Sequence, residues 1–179
     1  DVHRAEFDQI LLEHAASQPG VTVHQPATVE KVVFDGDGVT ARLSDRDGER
    51  ALRASFLVDA SGRDAFLAGR QGQGKPRPGL GKVAIFAYFR GAKRFPGRSE
   101  GNVRLYIFPE GWFWYIPLTR DETSVGCVLH QRVVKARRGT LPELFDEMVA
   151  RCEKISENMR GAEQVTELYT TSNFAYSIE

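Results

Sequence analysis

Hydrophobic positions near the start of the chain follow first a helical and then a strand-like pattern. Phe7, Ile10 and Leu11 recur at helical spacing and predict an amphipathic helix over residues 5–17, which a Pro-Gly pair ends. The β-branched residues that follow predict a short strand at Val21–Val23. A helix, a turn and a strand in this order are typical of an α/β layer.

A β-meander of three strands is predicted next. Strands at 29–34, 39–43 and 49–58 are separated by two turns that contain Asp-Gly pairs, and glycine supplies the positive φ that hairpin turns require. The third strand ends in Phe56-Leu-Val58, whose continuous apolar character is typical of a buried parallel strand. A short helix over 64–70 is predicted to follow it.

The pattern changes after residue 81. Residues 71–81 contain too much Gly and Pro for regular structure, so they predict a mobile loop. Short apolar strands follow at the spacing of a single antiparallel sheet. They are predicted at 82–90, 103–108, 111–118, 122–129 and, after two helices, 163–171.

Two helices are predicted before the last of these strands. The first covers 141–151, with Thr140 as its N-cap and Pro142 in its first turn, where both residue types are favoured. The second covers 153–160. The second half of the chain therefore combines an antiparallel sheet with helices.

Composition and charge exclude two kinds of partner. Lys plus Arg and Asp plus Glu both number 24, so the chain lacks the positive excess of a nucleic-acid binder. No apolar run reaches the roughly 18 residues of a membrane-spanning helix, and the first residues lack the pattern of a signal peptide. We therefore expect a cytoplasmic protein with no nucleic-acid or membrane partner.

The cysteines and histidines do not form a metal-binding pattern. Cys127 and Cys152 share no motif. The four histidines show no pairing at helical spacing and have no cysteine nearby at ligand spacing. We expect two reduced thiols and no metal site.

A polar turn follows the apolar strand end. Asp59-Ala-Ser-Gly62-Arg-Asp64 lies where ligands bind in open α/β sheets, beyond the carboxyl end of a strand. A carboxylate at Asp59 can accept from a ribose hydroxyl or hold a phosphate-binding loop, and Gly62 lets the backbone approach a pyrophosphate. The alternative is a simple strand-to-helix turn with Asp64 as the helix N-cap.

Arg4 stands at the start of the first predicted helix. A cation there is unfavourable for the helix dipole, so the residue is better explained if it faces an anion such as a diphosphate. The alternative is a solvated surface arginine.

Four consecutive aromatic residues occupy the third strand of the predicted antiparallel sheet. The two-residue period of a strand places Trp112, Trp114 and Ile116 on one face, and Phe113 and Tyr115 on the other. Two indoles on one face form a rigid wall suited to an aromatic substrate or an isoalloxazine ring. The alternative is a sheet that packs its core with large residues.

These segments occur in an order that resembles a known superfamily. Arg4-x-x-Phe7-Asp8-x-x-Leu11, the β-meander and Phe56-Leu-Val-Asp59-Ala-Ser-Gly62-Arg63 are similar to the p-hydroxybenzoate-hydroxylase-like flavoproteins. Trp112-x-Trp114-x-Ile116-Pro117 is identical to the Trp-x-Trp-x-Ile-Pro motif of flavin-dependent halogenases. The stretches 84–89 and 123–126 also resemble that family. The chain is thus similar to an internal part of a flavin-dependent halogenase.

The resemblance implies an FAD-dependent oxidoreductase of secondary metabolism. In that family a separate flavin reductase reduces FAD, which reacts with oxygen and with chloride or bromide. The resulting hypohalous acid travels to a lysine that directs it at an electron-rich ring. The implied substrate is aromatic, and it is phenolic or bound to a carrier protein.

The resemblance also assigns roles to the matched positions. FAD is expected to be bound by Arg4, Asp59 and Gly62. Trp112 and Trp114 are expected to line the passage beside the flavin and to keep substrate away from it. Substrate contacts are expected at Tyr115, Ile116 and Pro117.

The implied fold is a combination of α/β and α+β structure. Residues 1–70 correspond to part of an FAD-binding Rossmann-like domain with a β-meander. Residues 71–81 form a loop, and residues 82–179 form a substrate-side antiparallel sheet with helices.

Two parts of the family pattern are not in this chain. The Gly-x-Gly-x-x-Gly that seats the FAD diphosphate is missing, since Gly72-x-Gly74 and Gly79-x-Gly81 lack the third glycine. The halogenating lysine normally lies upstream of the matched region, and its role is assigned to neither Lys75 nor Lys82. The chain alone is therefore expected to bind FAD weakly or not at all and to be inactive.

Two other functions stay open. A flavin monooxygenase or a geranylgeranyl-reductase-like enzyme shares the same scaffold. A non-catalytic domain that binds a hydrophobic ligand would also carry an aromatic wall.

Overall fold

The computed structural model describes residues 4–70, 74–76, 81–172 and 176–178. These residues form two compact units, one mainly within residues 2–74 and the other within residues 75–177. No helix among the described residues is both long enough and apolar enough to cross a membrane.

The N-terminal unit holds a helix, a three-stranded antiparallel sheet and a short second helix. Helix α1 covers Arg4–Ala16, which confirms the helix predicted over 5–17 to within one residue at each end. The sheet consists, in order, of β1 (Ala27–Asp35), β2 (Gly38–Asp45) and β3 (Gly48–Ala54). A 3₁₀ turn at Gly62–Asp64 precedes helix α2, which covers Phe66–Arg70.

Aspartate side chains fix both turns of the meander. Asp35 Oδ1 accepts a hydrogen bond from the Asp37 amide at 3.2 Å, and Asp45 Oδ1 accepts one from the Asp47 amide at 2.9 Å. Such hydrogen bonds from a backbone amide to a nearby aspartate stabilise a turn through residues of the turn itself. Both hairpins predicted from the Asp-Gly pairs are confirmed.

Two segments predicted as strands are not strands. Val21–Val23 and residues 56–58 lack strand geometry, and Phe56 and Val58 are 89% and 88% exposed. A strand needs a neighbour that completes its backbone hydrogen bonds, and among the described residues no strand pairs with either segment. The buried parallel strand predicted at 56–58 is therefore wrong, and β3 ends at Ala54.

Part of the segment predicted as a loop is a strand. β4 (Gly74–Pro76) pairs with β11 (Tyr176–Ile178) in a two-stranded sheet. The loop prediction is wrong for these three residues. Residues 71–73 and 77–80, to which the same prediction applied, lie outside the described part of the chain.

The C-terminal unit is built on a six-stranded antiparallel sheet. Its strands are β5 (Lys82–Arg90), β6 (Arg104–Phe108), β7 (Gly111–Pro117), β8 (Glu122–His130), β9 (Glu163–Gln164) and β10 (Tyr169–Ser172). They are ordered β10–β5–β8–β7–β6, and β9 pairs with one end of β5. The predicted antiparallel sheet is confirmed, although the last predicted strand is divided into β9 and β10.

Three helices follow β8 along the chain: α3 (Gln131–Ala136), α4 (Leu141–Arg151) and α5 (Glu153–Asn158). The predicted bounds of α4 are confirmed. Thr140 accepts from the Glu143 amide, and the Glu143 carboxylate accepts from the Thr140 amide at 2.7 Å, which completes a capping box. Helix α3 was not predicted, because six residues are too few for a helical period to emerge.

The core lies between these helices and one face of the sheet. Phe145 of α4 is 2% exposed, and its ring centroid lies 6.0 Å from those of Phe89 and Phe113. Alternate residues of the central strands meet the helices here. Other core members are Val83, Ile85, Ala87, Tyr115, Val125, Cys127, Leu129, Leu144, Met148 and Ile155. The remaining side chains of these strands therefore lie on the opposite face.

Replacing Phe145 by alanine tests this packing. We expect the free energy of unfolding to fall by about 3–5 kcal/mol, because the lost ring leaves a cavity that its neighbours cannot fill. Urea denaturation measures the change. Phe34→Ala, at a residue that is 54% exposed, is the matched control. A loss below about 1 kcal/mol for the Phe145 variant would contradict the assignment of this residue to the core.

Candidate functional site

Strand β7 places its aromatic residues on two faces of the sheet. Phe113 and Tyr115 are fully buried against the helices. Trp112, Trp114 and Ile116 alternate with them and are partly exposed on the other face. The division of this strand predicted from its two-residue period is confirmed.

Aromatic side chains from three strands meet on that other face. Trp114 lies opposite Gly126, which in turn lies opposite Phe86, and Phe86 lies opposite Tyr169. The ring of Phe86 is 5.4 Å from that of Trp114 and 5.3 Å from that of Tyr169. We call the surface formed by Phe86, Tyr88, Trp112, Trp114, Ile116 and Tyr169 the aromatic face.

Gly126 allows the Trp114 indole to lie across strand β8. A Cβ atom at position 126 would overlap the six-membered ring of that indole. Trp114 Nε1 also donates to Ser124 Oγ at 3.0 Å, and Ser124 is almost fully buried. A missing side chain, a hydrogen bond and the neighbouring Phe86 ring therefore fix the orientation of Trp114.

Tyr115 and Pro117 lie on the helix-covered side of the sheet. The Tyr115 hydroxyl donates to the Lys93 carbonyl at 2.8 Å, and burial raises the pKa of Tyr115 to about 12. Both side chains are buried on the face opposite the tryptophans, and their predicted substrate contacts stay predictions. Of the three predicted substrate contacts, only Ile116 shares a face with the two tryptophans.

A lysine–histidine pair lies at one end of the aromatic face. Lys82 and His130 are opposite each other at the ends of β5 and β8, and Lys82 Nζ lies 2.8 Å from His130 Nε2. The charge of Lys82, then partial burial and the charge of Arg132, lower the pKa of His130. The lowered pKa favours the neutral imidazole beside the ammonium group.

The cysteines and acidic residues offer no metal centre in the described ranges. Cys127 and Cys152 are free and buried, and burial raises the pKa of the Cys127 thiol well above its usual range. Among the described residues, no group of His, Cys, Asp and Glu side chains is arranged to hold a metal ion.

The turn that begins at Asp59 organises the start of helix α2. Asp59 accepts from the amides of Ser61 and Leu67 at 3.0 and 2.8 Å, and Ser61 Oγ accepts from the Phe66 amide at 2.9 Å. These hydrogen bonds, led by that from Leu67, lower the pKa of Asp59. The helix N-terminus is thus capped by Asp59 and Ser61, and not by Asp64.

A cavity of about 550 Å³ opens beside this turn. The side facing the turn is polar, with Asp59, Ser61 and Asp64, and the remaining wall is mostly apolar and includes Val29 and Phe66. This volume lies within the range of small-molecule pockets. Gly62 has a φ of +63°, so its conformation explains the glycine there.

Arg4 forms an ion pair within its own helix. Its Nε donates to Asp8 Oδ1 at 2.7 Å, and its side chain is 83% exposed. The structure therefore gives the first-turn arginine a local anionic partner, whereas its predicted role toward FAD stays a prediction.

Five residues that shape the aromatic face were not predicted: Phe86, Tyr88, Ser124, Gly126 and Tyr169. Their positions depend on which residues of β5, β8 and β10 stand opposite one another. Two signals were available: the family resemblance of the stretches 84–89 and 123–126, and a glycine in an otherwise apolar strand, which often marks the close approach of another group.

The described residues thus combine sheet-and-helix structure with an aromatic face in the C-terminal unit and a cavity beside Asp59 in the N-terminal unit. The family model for tryptophan halogenases matches residues 1–166. The 1H-pyrrole-2-carbonyl-(peptidyl-carrier protein) chlorinase of Pseudomonas fluorescens is 32% identical over 99% of this chain and 41% of its own length. The tryptophan 2-halogenase of Chondromyces crocatus is 31% identical over 98% of this chain and 35% of its own length.

Solved structures of flavin-dependent halogenases also match this chain. The flavin-dependent halogenase CmlS matches with a TM-score of 0.87 and 28% identity, over 99% of this chain and 32% of that protein. The myxobacterial chondrochloren halogenase CndH matches with a TM-score of 0.86 and 32% identity, over 99% of this chain and 42% of that protein. The chain belongs to the tryptophan halogenase family. It spans less than half the length of each of these four relatives.

Replacing Gly126 by alanine tests the fixed orientation of Trp114. The added methyl group must displace the indole, so we expect stability to fall by about 1–3 kcal/mol and tryptophan emission to shift to the red. Urea denaturation and fluorescence measure both effects. Gly36→Ala is the matched control, because a Cβ atom there meets nothing within 4 Å. Unchanged emission in the Gly126 variant would contradict the packing described for Trp114.

An NMR titration of His130 tests the lysine–histidine pair. The pKa should lie below the ordinary value of about 6.5, and Lys82→Met should raise it because the nearest positive charge is removed. The neutral ring's contribution to stability is present above the unfolded-state pKa and is lost as pH falls through the folded-state pKa. Lys31→Met is the control and should leave this titration unchanged. A Lys82 variant with an unaltered His130 titration would show that the pair is not formed.

Proposed function

We propose that this chain is part of an FAD-dependent halogenase that modifies an electron-rich aromatic substrate. The aromatic face is the observation that carries the proposal. Trp112, Trp114 and Ile116 lie together there on one side of β7, within the Trp-x-Trp-x-Ile-Pro motif. Membership of the tryptophan halogenase family supports it independently.

The turn at Asp59 is proposed to hold part of FAD. Asp59 orders the turn through two backbone amides, and Gly62 adopts the positive φ that the turn requires. The adjoining cavity has the size and the mostly apolar wall that suit part of a dinucleotide. Arg4 would contribute a guanidinium group for a phosphate. When bound in its reduced form, FAD would supply the chemistry by which oxygen converts a halide ion into an electrophile.

The two tryptophans are proposed to act by exclusion. Trp114 is held by Ser124, Phe86 and the space above Gly126, so it forms a rigid wall. Such a wall keeps an aromatic substrate from the flavin while a small oxidant diffuses past. Ile116 lies on the same face, where it can contact the substrate.

We also propose the partners and the compartment. A separate flavin reductase would supply the reduced cofactor, and the substrate is phenolic or bound to a carrier protein. The name of the Pseudomonas chlorinase specifies a carrier-bound substrate for that enzyme. A cytoplasmic location suits the two free, buried thiols of this chain, because disulfides form chiefly in oxidising compartments.

Product mass tests the reaction. The full-length protein, given FAD, a flavin reductase with its electron donor, oxygen and chloride or bromide, should add halogen to phenolic or pyrrole substrates. A gain of oxygen would instead indicate a flavin monooxygenase, and a gain of hydrogen would indicate a reductase. A purified protein without flavin absorbance near about 450 nm would count against any flavoenzyme and favour a ligand-binding domain.

The exclusion role has its own test. Replacing Trp112 and Trp114 together by alanine should lower halogenated product by about tenfold to a hundredfold and increase the share of oxygenated product. Phe34→Ala changes an exposed aromatic residue of the N-terminal unit and should leave the product ratio unchanged. Mass spectrometry gives the ratio. An unchanged ratio in the double variant would remove the tryptophans from the mechanism.

A further inference from the structure

Positive charge is concentrated in the segment that leaves strand β8. Residues 131–138 read Gln-Arg-Val-Val-Lys-Ala-Arg-Arg and contain four cations and no acidic residue. Arg132 and Lys135 are exposed on helix α3, and Arg138 is exposed just beyond its C-terminal end. The chain as a whole has no net charge, so this segment is a local excess.

Nearby acidic groups offset this excess only in part, because they are paired with other residues. The Arg151 guanidinium forms ion pairs with Glu110 Oε1 at 2.5 Å and with Glu147 Oε1 at 2.6 Å. The Glu143 carboxylate is engaged by Thr140 in the cap of α4. Within the described ranges, Arg132, Lys135 and Arg138 form no ion pair. We call these three residues the basic edge.

A groove of about 480 Å³ adjoins the basic edge. Its polar lining consists of three arginines and two carboxylates, and its floor includes apolar residues of α3 and α4: Arg132, Arg137, Arg151, Glu110, Glu147, Val133, Leu144 and Met148. Arginine around an apolar floor is a composition typical of protein–protein interfaces. The surface can therefore combine charge attraction with burial of apolar area.

The basic edge lies at the end of the sheet where the aromatic face begins. Helix α3 starts directly after His130, whose partner Lys82 begins β5. Trp112 stands near the start of β7 at this same end, because β7 and β8 are antiparallel. The groove itself lies on the helix-covered side, so a substrate tethered to a partner bound here would reach the tryptophans around this end of the sheet.

We infer that the basic edge docks a small acidic carrier-protein domain, which delivers a tethered aromatic substrate to the aromatic face. This inference rests on the proposed function. Helix α3 has six residues and is about 9 Å long, so its charges match a local acidic patch. A nucleic-acid duplex or an anionic membrane presents a much longer row of charge.

Charge reversal in the full-length protein tests the docking surface. The triple variant Arg132→Glu, Lys135→Glu, Arg138→Glu should bind a purified acidic peptidyl carrier protein, loaded with an aromatic acyl group, at least about tenfold more weakly. The matched control reverses three other exposed cations, Arg46, Arg98 and Arg160, and should change Kd by less than roughly twofold. Calorimetry measures binding without turnover, and circular dichroism verifies the fold of each variant.

A reciprocal change makes the test specific. A carrier variant with lysines in place of its surface carboxylates should regain affinity for the triple variant and lose affinity for the unchanged enzyme. If the triple variant does not fold, Lys135→Glu alone should weaken carrier binding and reduce its salt dependence.

Three results would overturn the inference. They are an unchanged Kd in the folded charge variants, failure of the reciprocal carrier to restore binding, and displacement of the carrier by equal amounts of duplex DNA or phosphatidylserine vesicles. The proposed function is judged separately. It stands if free phenols are halogenated while carrier binding is unaffected by charge reversal, and it fails if no halogenation occurs even where the carrier binds through the basic edge.

Discussion

The side chains of strand β7 contribute to two surfaces of the sheet. Phe113 and Tyr115 fill the core beneath the helices, and the residues between them are consequently presented on the opposite face. Because side chains alternate along a strand, a shift of one residue in its pairing would exchange the two sets. The buried packing around Phe145 thereby determines where the tryptophans are displayed. Core stability and the candidate site are two consequences of a single register.

The parts of the fold that could be predicted are those encoded by neighbouring residues. The bounds of β5 and α4 follow from local periodicity and from the Thr140 cap. The strand predicted at 56–58 fails for a different reason. Continuous apolar sequence describes the environment of a buried strand, but pairing partners create the strand itself. The described residues provide no partner there.

The candidate site shows the same limit. The two-residue period was enough to assign Trp112 and Trp114 to one face. The same alternation could not show that Tyr115 belongs to the core, because it defines two faces of the strand but not which of them the helices cover. Nor could it identify Ser124 and Gly126, whose contributions depend on cross-strand register. The sequence also could not show that the Asp59 carboxylate is engaged by backbone amides, which only coordinates reveal.

The contact between positions 114 and 126 also makes the side-chain size allowed at one position depend on the residue at the other. The space that a side chain at 126 would need is already occupied by an indole that belongs to another strand. Any homologous sheet with a larger residue at the equivalent of Gly126 must therefore carry a smaller ring, or a differently turned one, at the equivalent of Trp114. Substitutions at these two sites, twelve positions apart in the chain, should be inherited together and not one at a time.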